Sequence, residues 1–177
     1  MRFVTLFLAM LYLGGCANQY SISEQQIAHY LNDKIAKEYQ MQQGTAALTL
    51  GLQNVSVKLG HQPGIMAVTA QARAKLLTPI MPLSATLQAE FTAKPVYDAS
   101  SHGVFLKDLQ LVQLSSRPAQ LQRLLSGITP QLLQMTRTLL ESQPVYVLDN
   151  RDNTQAKLAQ ITREIKVEKG RLLLLFQ

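Results

Sequence analysis

Cysteine and tryptophan are nearly absent from this 177-residue sequence, which contains a single cysteine, Cys16, and no tryptophan. One cysteine excludes an internal disulfide and a zinc site built from several cysteines. Charged residues make up only 16% of the chain, and Lys and Arg form no run although the net charge is +6. Nucleic-acid-binding surfaces usually combine a basic stripe with interleaved aromatic residues. We therefore expect no nucleic-acid partner.

Motifs of the common enzyme classes are also missing from the sequence. The three histidines, His29, His61 and His102, do not have the HxxxH or HExxH spacing of a zinc site. Neither the GxSxG elbow of serine hydrolases nor a glycine-rich phosphate loop is present. The sequence therefore favours a protein that is not an enzyme and that needs no metal or cofactor.

The N-terminus has the pattern of a targeting segment. An uncharged, mostly apolar stretch of eleven residues, 3–13, follows Arg2. A membrane-spanning helix needs about 20 such residues, so this stretch has the length of a signal peptide. It ends in LGGC, with Cys16 last, which resembles the bacterial lipobox. The alternative is an ordinary secretory signal with an incidental cysteine near its end.

The lipobox resemblance implies that the chain is cut before Cys16 and that this cysteine carries acyl groups. We predict a signal peptide at residues 1–15, a lipidated tether at 16–22 and a single domain at 23–177. The partner of Cys16 is then the membrane itself. The next residue is Ala17 and not the aspartate that usually retains such proteins in the inner membrane. This difference implies the outer membrane, with the domain facing the periplasm.

The domain begins with a helical pattern and continues with strands. Ser23 and Gln26 form a capping-box pattern, which predicts an amphipathic helix that continues through Lys37. Alternating apolar residues then predict four strands in an antiparallel meander. A change of parity at Gln53-Asn54 indicates a β-bulge in the first of them. The four predicted strands span residues 45–60, 66–76, 82–94 and 104–114.

The second half of the chain favours helix and then strand. Leucines at helical spacing predict a long helix over residues 117–143, which Pro130 should kink. A short strand, VYVL, a helix near residues 154–163 and a hairpin about Lys169-Gly170 complete the pattern and are predicted to close the sheet. The predicted fold class is α+β.

Alanines alternate with larger residues on the apolar sides of the second and third predicted strands. Small side chains leave space above a sheet, and protein interiors are close-packed, so something else must fill that space. The long helix is one candidate, and the acyl chain of a ligand is the other. The direction in which side chains face makes Leu87, Phe91, Leu125 and Leu132 the predicted ligand contacts.

Several motifs together resemble the YceB-like family of bacterial lipoproteins over nearly the whole mature chain. They are the lipobox, QYSISEQQIAHYL, KPVYD before GVFLKDLQLV, and QPVYVL before the final hairpin. The resemblance implies a tubular lipid-binding (TULIP-like) fold, in which a curved antiparallel sheet is wrapped around a long kinked helix. It also implies that a lipid or another amphiphile binds in an apolar groove between helix and sheet. The alternative is an envelope scaffold or accessory protein with a closed core and another protein as its partner.

Overall fold

The computed structural model describes residues 19–34, 38–43, 46–77, 82–118 and 129–176. The predicted signal peptide, Cys16 and Leu125 lie outside these ranges. Within them the chain forms two antiparallel sheets and three helices. In chain order the elements are β1 (Gln19–Ser23), α1 (Glu24–Lys34), β2 (Glu38–Gln43), β3 (Ala46–Leu59), β4 (Met66–Leu77), β5 (Leu83–Asp98), β6 (Gly103–Arg117), α2 (Thr129–Ser142), β7 (Tyr146–Val147), α3 (Asn153–Ile161), β8 (Thr162–Glu168) and β9 (Arg171–Phe176).

The larger sheet is an antiparallel meander in the order β2-β3-β4-β5-β6-β7. Its four long strands, β3 to β6, are the four that alternation predicts. The register of β3 against β4 shifts between Leu52 and Asn54, which confirms the predicted bulge. Two further shifts, at Glu90/Phe91 and Thr92/Lys94, interrupt the pairing of β5 with β6. Bulges bend a strand and increase its twist, so they favour a sheet that is not flat.

The smaller sheet has the order β1-β9-β8 and differs from the prediction in two ways. First, residues 19–22, which the sequence predicts as part of the tether, lie in β1, where Ile22 pairs with Leu172 and both are fully buried. Second, the C-terminal hairpin does not close the larger sheet and instead forms this separate one with β1. The predicted hairpin turn at Lys169-Gly170 is confirmed, and Gly170 has a φ of 79°.

Helix α1 begins at the predicted capping box. The Ser23 N–H donates to Gln26 Oε1 at 2.8 Å, and the Gln26 N–H donates to Ser23 Oγ at 3.3 Å. These reciprocal bonds satisfy backbone donors that the first turn of a helix leaves free. Ile27 and Leu31, one turn apart, are buried. The described helix ends at Lys34, and the last three predicted residues lie outside the described ranges.

Helix α1 also covers a free edge of β3. Strand β2 pairs with residues 46–51 of β3, and in the described part of the chain no strand lies beside the rest of that edge. Asn32 Oδ1 accepts the Val55 N–H at 2.9 Å, and Asn32 Nδ2 donates to the Val55 carbonyl at 2.8 Å. Glu24 Oε1 accepts the Leu59 N–H at 2.6 Å. Side chains of α1 therefore replace a neighbouring strand and protect an edge that could otherwise pair with another chain.

Replacing Asn32 with alanine should lower the free energy of unfolding by about 2 kcal/mol, because part-buried N–H and C=O groups of Val55 lose their partners. Urea unfolding measures this change. His29→Ala is the matched control, since His29 lies on the same helix with its side chain 79% exposed, and it should change stability by less than about 0.5 kcal/mol. Equal losses in the two variants would show that Asn32 does not hold α1 to the edge.

The long kinked helix predicted over residues 117–143 is not shown. Its predicted start is wrong, because Arg117 is the last residue of β6, paired with Thr86 of β5. Strand pairing there prevails over the local helical spacing of the leucines. The described helix is α2, and Pro130 is its second residue, so the predicted kink lies at the border of the described residues. None of the helices described is long and apolar enough to cross a membrane.

Candidate functional site

The apolar face predicted for β4 and β5 is present. Val68, Phe91 and Ala93 are buried on one side of the sheet, whereas Arg73 and Lys75 are exposed on the other. Successive side chains of a strand point to opposite faces, so the alternation of the sequence becomes one dry side and one wet side. This dry side is the candidate site for an apolar ligand.

Large side chains fill the half of the dry side nearest the β3–β4 turn. Leu59 of β3 pairs with Met66 of β4, and Val68 of β4 has Val57 and Phe91 as its neighbours on either side. All five are buried and belong to the main hydrophobic cluster of the protein. This half is therefore ordinary core.

Five alanines lie in the other half of the dry side of β4 and β5, together with Leu87. Ala70 pairs with Ala89, and Ala74 pairs with Ala85. Ala74 and Ala85 are buried, while Ala70, Ala72 and Ala89 are half-buried. Methyl groups reach only a short way above the sheet, so the volume over them must be filled by other groups. We call these five residues the alanine floor.

The structure places two of the four predicted ligand contacts on this side. Leu87 pairs with Ala72 of the floor, and Phe91 lies four residues further along β5 in the large-residue half; both are buried. Leu125 lies outside the described residues. Leu132 lies in α2, but its side chain is not described. Leu87 and Phe91 are thus brought to one surface, and the contacts of the other two remain predictions.

Ser116 is a further residue at this surface, and no local pattern in the sequence distinguishes it. It is the β6 neighbour of Leu87 and only 6% exposed. Its hydroxyl has no hydrogen-bond partner within the described part of the chain. Buried hydroxyls usually have a partner, so this one offers a polar contact at the margin of the alanine floor.

Helix α2 packs against β6 through apolar and polar contacts. Leu133 and Leu140 are half-buried against the main cluster. Arg137 Nη2 donates to the Leu109 carbonyl at 2.9 Å, and Glu141 Oε1 accepts the Leu109 N–H at 3.3 Å. Arg137 and Glu141 are four residues apart and share a helix face. Together they bond both backbone groups of Leu109, a role that only the tertiary structure reveals.

A cleft of about 510 Å³ lies beside Arg137 and Glu141, between α2 and the strands β5 and β6. Lys94 Nζ and Asp108 Oδ2 form an exposed ion pair in it at 2.9 Å. The hydrogen bond from Lys94 and its positive charge lower the pKa of the Asp108 carboxyl. Charged groups of both signs line this cleft, so it does not have the character of the predicted apolar groove.

A second cleft, of about 620 Å³, lies between α1 and the segment that joins β7 to α3. Tyr30 and Tyr146 form part of it, with ring centroids 5.6 Å apart, and burial is the main cause that raises the pKa of Tyr146. Asp149 and Arg151 form an exposed ion pair at its rim. The described residues bring no three His, Cys, Asp or Glu side chains together as a metal-binding group.

Comparison with known protein families assigns the chain to one of them. Residues 22–171 match a family described as "Protein of unknown function (DUF1439)". The chain belongs to the DUF1439 family. Its relatives include the "Uncharacterized lipoprotein YceB" of Escherichia coli (strain K12), 27% identical over 173 residues, which cover 93% of this chain and 91% of that protein. YceB of Salmonella typhimurium is 26% identical over 170 residues, with the same coverage. The predicted resemblance to YceB-like lipoproteins is confirmed.

Among solved structures, this DUF1439 chain is similar to a crystal structure of lipopolysaccharide binding protein, with a TM-score of 0.39 and 14% sequence identity. The match covers 89% of this chain and 48% of the other, so the chain spans about half the length of that structure. A similarity at this level does not define the fold. The sheet-rich α+β class follows from the strands themselves, and the TULIP-like fold remains a prediction.

Proposed function

We propose that this DUF1439 chain is a lipoprotein, anchored in the outer membrane through acylated Cys16, whose periplasmic domain binds a lipid or another amphiphile over the alanine floor. The LGGC motif and the lipoprotein names of its relatives support the anchor. The alanine floor is the observation that supports ligand binding. It is a row of small side chains on the dry side of a sheet whose other half is filled by large ones.

An acyl chain gains free energy when it leaves water, at about 0.8 kcal/mol for each CH₂ group buried. A channel over the alanine floor would supply that burial. Leu87 would lie beside the ligand, and Phe91 would lie at the end of the channel that borders the large-residue half of the dry side. The Ser116 hydroxyl lies next to Leu87 and has no protein partner among the described residues. It would be available to an ester or carboxyl oxygen of an amphiphile.

Filling the space above the alanine floor with a larger side chain should weaken ligand binding. In Ala72→Leu the added atoms occupy space above β4, and we expect the affinity for a fluorescent fatty acid to fall about tenfold, equivalent to about 1.4 kcal/mol. Stability should be unchanged or slightly higher, because the new side chain packs where the ligand would. Gln71→Leu is the matched control, since Gln71 is exposed on the opposite side of the same strand, and it should leave binding unchanged.

A closed core gives the opposite result. If protein side chains already fill the space over Ala72, the larger leucine overpacks it and costs about 1 to 3 kcal/mol of stability, and neither the parent chain nor any variant takes up the fatty acid. That outcome contradicts ligand binding and favours the accessory protein with a closed core. Crosslinking in intact envelopes would then be expected to yield a single protein partner.

A further inference from the structure

The folded domain begins very close to its proposed lipid anchor. Strand β1 starts at Gln19, three residues after Cys16. Consecutive Cα atoms are 3.8 Å apart, so the Cα atoms of Cys16 and Gln19 are separated by at most about 11 Å. An acylated Cys16 lies at the membrane surface, and the N-terminal end of β1 must therefore lie near that surface too.

The neighbours of Gln19 identify which part of the domain this is. Gln19 pairs with Leu175 of β9, and the adjacent Phe176 pairs with Thr162 of β8. Neighbouring strands are about 4.8 Å apart, so the start of β8 lies about 10 Å across the sheet from β1. Helix α3 ends there, at Ile161, immediately before Thr162. This end of the small sheet, with the last turn of α3, is called the anchor-side end below.

Exposed residues at the anchor-side end have the character of a membrane-contacting surface. Ile161 is 44% exposed, which is high for a large apolar side chain. Arg163 follows it by two residues, and Lys157 precedes it by one helical turn; both are exposed. Long cationic side chains at an interface can reach lipid phosphates while their aliphatic parts remain in apolar surroundings. Glu164 is the exposed carboxylate beside them.

We propose that the anchor-side end rests on the lipid bilayer, with Ile161 at the level of the lipid headgroups. A single exposed isoleucine is ordinary on a protein surface, and it is the short distance to Cys16 that assigns this one to the membrane. The inference rests on the lipid anchor proposed above. It adds an orientation of the domain, which an anchor on a long tether would not fix.

The same geometry directs the other end of the hairpin away from the membrane. Strand β9 runs from Arg171 to Phe176, and five residue steps of about 3.4 Å give a length of about 17 Å. The turn at Lys169-Gly170 lies at its far end, where the Gly170 N–H donates to the Leu59 carbonyl at 3.1 Å. The β3–β4 turn is therefore expected to point into the periplasm.

Spin labels can test this orientation in the full-length acylated chain. The thiol of Cys16, the only native cysteine, is blocked by its acyl group, so a label reacts with an introduced cysteine alone. Ile161→Cys and Arg163→Cys report on the anchor-side end, and Lys169→Cys is the distal control, exposed at the opposite turn. Each protein is reconstituted into vesicles of phosphatidylethanolamine and phosphatidylglycerol. Accessibility is then measured to oxygen, which enters the bilayer, and to a nickel chelate, which stays in water.

We expect the ratio of oxygen to nickel accessibility to be several-fold higher at positions 161 and 163 than at 169. Equal ratios at all three positions, in protein that floats with the vesicles, would overturn the proposed orientation and leave the anchor intact. Protein that does not float with the vesicles would instead contradict the lipid anchor. The two failures are therefore distinguishable in one preparation.

Discussion

Replacing Gly60 with alanine is expected to lower the free energy of unfolding by about 3 kcal/mol. Gly60 has a φ of 70°, where a side chain costs about 1 kcal/mol. A Cβ atom there would also lie 2.6 Å from the backbone carbon of Glu168 and 2.7 Å from its carbonyl oxygen. Backbone atoms cannot rotate away as a flexible side chain can, so the β8–β9 hairpin would have to separate from the β3–β4 turn, at a cost typical of overpacking, about 1 to 3 kcal/mol.

Gly64 provides the matched control for this prediction. It has a φ of 72° in the same β3–β4 turn, but a Cβ atom there meets nothing within 4 Å. Gly64→Ala should therefore lose only the conformational contribution, about 1 kcal/mol. Urea unfolding of both variants measures the difference. If the two variants lose the same stability, the close contact between Gly60 and Glu168 does not exist in solution, and the two sheets do not meet there.

Replacing Cys16 with serine should abolish lipidation. A serine has no thiol to receive the diacylglyceryl group, and we expect cells grown with labelled palmitate to show essentially no label in this variant. The parent chain should carry the label in the outer-membrane fraction. One acyl chain binds a membrane only marginally, at about 10⁴ M⁻¹, whereas two or more hold stably, so acylation at Cys16 would make the anchor permanent.

Ala17→Ser is the control for the cysteine variant, because it changes the neighbouring residue and keeps the thiol. It should retain the palmitate label in full. Label on the Cys16→Ser protein equal to that of the parent would mean that the acyl groups are attached elsewhere. Absence of label on the parent chain would favour the alternative of an ordinary secretory signal.

The parts of the fold that were predictable are those determined by local pattern. Alternation in β3, β4 and β5 identified the strands and their dry side, and the parity change at Gln53-Asn54 located the bulge. The Ser23–Gln26 capping box identified the start of α1. In each case the residues that form the feature are neighbours in the sequence.

The parts that could not be predicted depend on distant contacts. Strand β1 is short and forms because Gln19–Ser23 pairs with the other end of the chain. Residues near Arg117 have helical leucine spacing downstream of them, yet β6 extends to Arg117 by pairing with β5. The role of Asn32 depends on its hydrogen bonds to the backbone of Val55, a residue that is distant in the sequence. No local pattern contains this information.

The candidate site also has one part that the sequence pattern predicts and one part that it does not. The alanine floor and the facing directions of Leu87 and Phe91 follow from strand alternation, and the structure places them on one surface. The buried hydroxyl of Ser116 depends on the register of β5 against β6, which the sequence pattern does not contain. Residue pattern therefore identified the apolar part of the site, while its polar contact at Ser116 required the tertiary structure.

Identification of the molecules bound to the purified domain tests ligand binding most directly. Residues 1–16 would be replaced by a cleavable secretion signal, so that the mature protein begins at Ala17 and retains β1 from Gln19 onward. The domain is purified without detergent, and its organic extract is analysed by mass spectrometry beside that of the Ala72→Leu variant. We predict a lipid or other amphiphile in near-stoichiometric amount with the parent domain and a clear reduction with the variant. A parent domain that is folded, carries no lipid and takes up no fluorescent fatty acid would contradict the proposed function.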